Sequence, residues 1–265
     1  MRISQIRVFR ADLPMREGSY SWSTQSHTAF DTSIVLIDTD EGISGVGECC
    51  PLGPTYLPAY ADGVRAGIAQ LAPILIGHDP TQLDHINAVM DTHLKGHPYV
   101  KSALDMACWD ILGKAANLPL YILLGGKLQD SVTLYKVVTR TDPAAMAERI
   151  PEYRDQGFRQ FQVKVGESPA TDIIRIHRVA QEMRAGEVLN ADANTGWKQH
   201  EALQVADAIA DLGRQTGIRV TLEQPCLSYH ECLAVRQHTN LPFVLDECMD
   251  SIGALLQGYN DHAMD

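Results

Sequence analysis

Four ionisable residues recur at near-regular intervals, each at the end of an apolar run. Lys164 stands in Phe161-Gln162-Val163-Lys164-Val165-Gly166 and Asp192 in Asn190-Ala191-Asp192-Ala193-Asn194. Glu223 follows in Leu222-Glu223-Gln224-Pro225, and Asp246 in Val244-Leu245-Asp246-Glu247. The steps are 28, 31 and 23 residues, close to the ~30 residues of one strand-helix unit in a (β/α)8 barrel. Successive strands would then place one lysine and three acids on one rim. Three carboxylates on rigid strand ends suit a hard divalent cation such as Mg²⁺. A lysine beside that cation can take a proton from a carbon next to a carboxylate.

Each residue alone has a plainer reading. An Asp between a strand and a helix commonly caps or turns the chain, and Asn194 near Asp192 suits that role. Asp246-Glu247 can cap the following helix, and Lys164 at a strand end can reach solvent. Glu223 resists such a reading, because a carboxylate after Thr221-Leu222 on an apolar strand is costly unless paired or on a metal. Four such residues on four successive strand ends point to one shared metal-and-base site.

The elements that must position them fall into two regions. In residues 1–125, strands are expected from Ile3, over Ser33–Asp38 and over Ile43–Glu48, the last two joined by Asp38-Thr39-Asp40-Glu41-Gly42 as a hairpin. Residues 15–25 and 51–56 read as loops, with the aromatics Tyr20, Trp22 and Tyr56 in them. Val100, Ala103, Leu104, Ala107, Cys108, Ile111 and Leu112 mark a helix over about 99–116. Pro119 and Gly125-Gly126 then mark a boundary. Residues 126–265 alternate strand and helix. Strands are expected at 132–138, 158–165, 187–192, 218–223 and 243–246, with helices from about 142, 170, 198 and 228 and a short one ending near 257. Asp142-Pro143 is a good helix start. This predicts an α/β protein: an α+β domain, then a parallel (β/α) barrel of which about the first five strands are present. A half-open parallel sheet would expose an apolar edge. The expectation is therefore an N-terminal fragment of a longer enzyme that is unstable alone or needs a partner.

Composition narrows the function classes. A formal net charge of -11 argues against nucleic-acid binding, which needs a basic face. It leaves an anionic substrate open, because a bound Mg²⁺ reverses the local field. The six cysteines form no zinc or disulfide framework and read as free thiols of a reducing compartment. No apolar run approaches a membrane span, and the N-terminus alternates like a strand. The expected setting is soluble and cytoplasmic.

The four stations in combination resemble the enolase superfamily, in its mandelate racemase and muconate lactonizing enzyme branch. Ala103-Leu104-Asp105-Met106-Ala107-Cys108-Trp109-Asp110-Ile111-Leu112-Gly113-Lys114 resembles that branch's capping-domain helix, and Leu123-Leu124-Gly125-Gly126 its entry to the barrel. The resemblance covers the whole chain. It implies that Asp192, Glu223 and Asp246 bind Mg²⁺ and that Lys164 is a catalytic base. It implies that loops around 20 and 50 cover the substrate, which nominates Trp22 and Tyr56, with Gln162 and Asn194 as further substrate contacts. It also implies a homo-oligomer, an octamer or smaller. Two departures stand out. The branch commonly has Lys-x-Lys where this chain has Gln162-Val163-Lys164. Its second acid/base lies on a sixth or seventh strand, which is expected beyond Asp265.

The implied chemistry is abstraction of the proton α to a carboxylate. Gly53-Pro54-Thr55-Tyr56-Leu57-Pro58, Gly96-His97-Pro98-Tyr99-Val100-Lys101 and Glu223-Gln224-Pro225-Cys226 resemble the subgroup that acts on proline derivatives. Dehydration of cis-3-hydroxy-L-proline is the first expectation, and 2-epimerisation of proline betaine or 4-hydroxyproline betaine the second. A sugar-acid dehydratase of the same superfamily is a further reading. A non-catalytic remnant that only binds metal or a partner is the alternative of another class.

Overall fold

The computed structural model describes residues 1–23 and 25–265. The chain begins with β1 (Ile3–Pro14), β2 (Tyr20–Trp22), β3 (Gln25–His27), β4 (Ala29–Thr39) and β5 (Ser44–Cys49). Helices α1 (Ala61–Leu75), α2 (Leu83–His93), α3 (Pro98–Ala116) and α4 (Leu120–Leu123) follow. Strands then alternate with helices: β6 (Lys136–Val138), α5 (Pro143–Asp155), β7 (Gln160–Lys164), α6 (Pro169–Glu182), β8 (Val188–Asp192), α7 (Gln199–Ile209) and α8 (Leu212–Thr216). The remainder is β9 (Arg219–Glu223), α9 (Tyr229–Arg236), β10 (Phe243–Val244) and α10 (Ile252–Asn260). Two compact units result. One comprises Met1–Gly18 and Thr28–Ser131, the other Ser19–His27 and Val132–Asp265.

In the first unit, β1, β4 and β5 form an antiparallel sheet in that order. The expected hairpin is present, with Asp38 opposite Ser44 and Ser33 opposite Cys49. Helix α3 buries Val100, Ala103, Leu104, Ala107, Cys108 and Ile111, the face its periodicity marks. Pro98 opens it, and left-handed Asn117 closes it by donating its N–H to Gly113 O. Two glycines let α3 lie directly on β5. A Cβ on Gly47 would stand 1.9 Å from Ala103 O, and one on Gly45 2.1 Å from Ala107 O. Neither backbone can yield without parting helix from sheet. Gly47→Ala should therefore cost about 1–3 kcal/mol, read as a lower urea midpoint; an unchanged midpoint would show that the contact can relax.

The second unit is built on a five-stranded parallel sheet in the order β10-β9-β8-β7-β6. Its apolar side chains, among them Phe161, Val163, Leu189, Leu222 and Phe243, pack in one core with Ile150, Ile176, Val205 and Val235 of the helices. Asp142 caps α5 by accepting from the N–H groups of Ala144 and Ala145. Ser228 and Glu231 cap α9 reciprocally.

Some elements differ from expectation. The strand expected at 132–138 pairs only from Lys136, opposite Phe161, while Val132, Leu134 and Tyr135 are exposed. The fifth strand ends at Val244 because the Asp246 N–H donates to the Gln224 side chain, 2.7 Å, in place of a ladder partner. Part of the expected 15–25 loop is the β2–β3 hairpin, with Tyr20 opposite His27 and Trp22 opposite Gln25. It is fixed to the ends of the parallel strands. Ser21 N donates to Thr139 Oγ1 at 2.6 Å, Ser23 N to Val165 O at 3.2 Å and Ser23 Oγ to Ala193 O at 2.5 Å.

Candidate active site

Strand register assembles the site. Lys164 on β7 is the direct partner of Asp192 on β8, which is the direct partner of Glu223 on β9. Glu223 in turn stands opposite Val244 on β10, two residues before Asp246. In-register residues of a parallel sheet point to the same face. Lys164, Asp192 and Glu223 thus form one row at the C-terminal ends, 5%, 0% and 7% exposed. Asp246 lies past the end of its strand and is exposed.

The row is cross-linked. Lys164 Nζ donates to Asp192 Oδ2 at 2.5 Å and to Asn194 Oδ1 at 3.0 Å. The backbone N–H of Asn194 donates to the other Asp192 oxygen at 2.9 Å. Asn194 is held in left-handed backbone, φ +41°, which asparagine tolerates better than most residues. One row below, Gln162, Asn190 and Thr221 stand in register. Gln162 Nε2 donates to Glu223 Oε2 at 2.8 Å, Asn190 Nδ2 donates to the same oxygen, and Thr221 Oγ1 donates to Asn190 Oδ1 at 2.7 Å. Asn190 and Thr221 are absent from the sequence expectation. Their signal is simple: each lies two positions before a row acid, and period two puts it on the same face.

Burial and like charge govern the electrostatics. Burial first, then the neighbouring Asp192 charge, pushes Glu223 up to about 7. Burial pushes Asp192 up as well, with Lys164 pulling against it. Burial works to lower Lys164, but the negative charge of Asp192 and Glu223 and the hydrogen bond to Asp192 outweigh it, and its pKa is raised. In this arrangement the lysine is an ammonium at the end of the row, bonded to Asp192.

The remaining expected residues lie as follows. Trp22 is 3% exposed, its ring stacked on His27 at 5.0 Å and tilted against Tyr20 at 4.9 Å. The hairpin ring near the lysine is Tyr20, its centroid 6.0 Å from Lys164 Nζ. Tyr56 belongs to the first unit and is half-buried in the turn after Pro54. Glu247 does not cap the following helix; Ser251 does, accepting from Ala254 N. Behind the site, fully buried Asp172 accepts from the backbone N–H groups of Gly166 and Glu167, from Trp197 Nε1 and from Arg175. This pins the loop that follows Lys164.

The chemistry of the row fits a hard divalent cation. All its acceptors are oxygens, and two buried carboxylates stand side by side on neighbouring strands with one lysine to offset them. The present rotamers do not converge: among the described residues, no three His, Cys, Asp or Glu side chains are grouped as a ready metal cage. Asp192 is turned to Lys164 and Glu223 to Gln162 and Asn190.

Comparison with known proteins places this geometry. Residues 5–125 match the N-terminal domain of mandelate racemase/muconate lactonizing enzyme, and residues 145–265 match the enolase C-terminal domain-like family. The chain is 50% identical over 266 aligned positions to the cis-3-hydroxy-L-proline dehydratase of Roseibium aggregatum, covering 100% of this chain and 71% of that protein. The chain belongs to the mandelate racemase/muconate lactonizing enzyme family. It is an enzyme of the enolase superfamily, with that superfamily's capping domain and barrel-like domain. A second relative, the N-succinyl-L-Arg/Lys racemase of Bacillus cereus, is 31% identical over 95% of this chain and 67% of its own length. A magnesium-complexed enolase-superfamily crystal structure from Roseovarius nubinhibens superposes with TM-score 0.87 at 40% identity, over 99% of this chain and 70% of that one. The non-catalytic alternative finds no support, since likeness to an enzyme runs through the whole chain. No helix among the described residues is long and apolar enough to cross a membrane.

Proposed function

We propose that this enzyme dehydrates cis-3-hydroxy-L-proline to 1-pyrroline-2-carboxylate in a Mg²⁺-dependent reaction. The observation that carries the reading is the 50% identity to a dehydratase of that substrate over the whole chain. The buried row of one lysine and two acids supports it with a chemistry. Asp192, Glu223 and Asp246 are the residues that would hold Mg²⁺. When bound, the cation supplies positive charge that stabilises the substrate carboxylate as its α-proton leaves.

The other roles belong to the chain's own side chains. Engagement of Asp192 and Glu223 offsets the negative field that raises Lys164, and burial then works to lower its pKa. Neutral Lys164 takes the α-proton. The substrate hydroxyl is cis to the carboxylate and so trans to that proton, and the elimination is anti. The C–H and C–O bonds break and a C=C bond forms. The hydroxyl leaves as water by taking a proton from a second acid on the face opposite Lys164, a role that the superfamily resemblance gives to a sixth or seventh barrel strand. The enamine then tautomerises to the imine. Gln162 and Asn190 hold Glu223 from below, and Asn194 holds Lys164 from the side. Tyr20, whose ring lies near Lys164, faces the ring of the substrate, and the buried Trp22 packs against it from behind. A homo-oligomer and a cytoplasmic setting belong to the same proposal; six free cysteines suit a reducing compartment.

A specific observation favours a second reading. The racemase relative shares this scaffold at 31% identity, and base chemistry on one face of the α-carbon also begins an epimerisation. Proton NMR in D₂O with Mg²⁺ separates the two. With cis-3-hydroxy-L-proline, the substrate signals should vanish and 1-pyrroline-2-carboxylate appear. Exchange of the α-proton of proline betaine in a parallel tube, without elimination, would replace the dehydratase with a 2-epimerase. Silence in both tubes would reject both substrates.

A further inference from the structure

Glu247 follows Asp246 and is half-buried. Its Oε1 accepts from Asn194 Nδ2 at 3.1 Å, across 53 residues of chain. Its Oε2 is buried and has no hydrogen-bond partner among the described residues. Asn194 is thereby held at both ends of its amide. Nδ2 faces a carboxylate, which can only accept, and Oδ1 faces the Lys164 ammonium, which can only donate. Turning the amide over would set NH₂ against NH₃⁺ and oxygen against oxygen. The two charged neighbours permit one orientation.

That orientation matters when Asp192 is engaged elsewhere. Lys164 Nζ donates to Asp192 Oδ2 and to Asn194 Oδ1, and the Tyr20 hydroxyl is also in hydrogen-bonding reach of it. With a cation on the Asp192 oxygens, Asn194 Oδ1 would still hold the amine from the side of the strand ends. We infer that Glu247 is a positioning residue for the proton transfer: it locks the Asn194 amide so that Oδ1 holds the Lys164 amine on the substrate side of the row. The contribution is a directed hydrogen bond, which an uncharged acceptor of the same shape can supply. The inference rests on the proposed role of Lys164 as the base.

The test uses two variants of the full chain. Glu247→Gln keeps an acceptor oxygen and removes the charge; Glu247→Met keeps the bulk and removes the acceptor. With Mg²⁺ and cis-3-hydroxy-L-proline, Glu247→Met should lower kcat by about 10- to 100-fold, with KM and Mg²⁺ affinity changed far less. Glu247→Gln should restore most of the loss. A Met variant with wild-type kcat overturns the inference, as does a Gln variant as impaired as the Met one. A second readout stands apart from turnover. In ¹⁵N NMR of the Mg²⁺-loaded protein, the Asn194 side-chain NH₂ pair should shift in Glu247→Met and stay near its wild-type position in Glu247→Gln. Unmoved resonances in the Met variant refute the lock even if the substrate assignment itself is wrong. Shifted resonances with no turnover by wild type uphold the lock and reject the substrate.

Discussion

Lys164→Ala should abolish exchange of the substrate α-proton, a loss of about 10²–10⁴-fold, without weakening Mg²⁺ binding. The first half follows from position: the ammonium nitrogen is buried at the row's end, held by Asp192 and Asn194. The second half follows from competition. Lys164 and a divalent cation draw on the same Asp192 carboxylate, so removing the lysine removes a rival charge. Mg²⁺ affinity measured by calorimetry should hold or rise. The metal-free variant should also be markedly less stable, because two buried carboxylates lose their one cation; breaking a buried pair costs about 3–5 kcal/mol. Retained exchange would remove Lys164 as the sole base. Lost Mg²⁺ binding would show instead that the lysine is needed to shape Asp192.

Glu223→Gln should act in opposite directions on stability and on metal affinity. In the metal-free protein Glu223 has a pKa of about 7 in place of the ordinary 4.5. A carboxyl group raised on folding favours the folded state while it is protonated. That contribution is present below about 4.5 and is lost as pH rises to about 7. The metal-free wild type should therefore lose on the order of 1–3 kcal/mol across that window. Glutamine keeps an oxygen to accept from Gln162 and Asn190 but carries no charge, so the variant should show little of this pH dependence and be the more stable protein at pH 8. Its Mg²⁺ affinity should fall by more than about tenfold, because an anionic oxygen ligand becomes a neutral one. The wild type, in contrast, should bind Mg²⁺ more tightly as pH rises through 7, since proton and cation compete for one carboxylate. Thermal melts from pH 5 to 8 with and without Mg²⁺ check all three expectations. Equal Mg²⁺ affinity in wild type and variant would sink the assignment of Glu223 as a ligand.

Legibility in the sequence followed the range of the interactions. Helix α3 was readable because its apolar face repeats within the helix, and Asp142-Pro143 because a cap is a contact two or three residues long. The acid row was readable because strand ends recur with the length of a repeating unit, and register did the rest. The β2–β3 hairpin was not. Tyr20-Ser21-Trp22 and Gln25-Ser26-His27 carry little alternation, and bonds to Thr139, Val165 and Ala193 hold them in place. Such long-range pairing leaves no local trace. The same holds for Glu247, which reads as a helix cap until the fold brings Asn194 to it. Trp22 and Tyr20 are two residues apart in one loop, and composition cannot say which ring packs inward. The structure buries the tryptophan and sets the tyrosine near the lysine.

The hairpin has a consequence for inheritance. Residues 19–27 are synthesised among the strands of one unit and become part of the other, whose matching atoms follow 118 to 171 residues later. They are made early and seated late. No single cut of the chain releases the parallel-sheet unit whole: a piece starting at Val132 lacks Tyr20, Ser23 and their bonds to the strand ends. Recombination between two relatives at that joint would likewise lay one parent's aromatic hairpin on the other parent's parallel strands. Each half would arrive intact, and the mismatch would fall beside Lys164. Under the proposed function, exchange of whole halves would alter what the site accepts while Lys164, Asp192, Glu223 and Asp246 stay as they are.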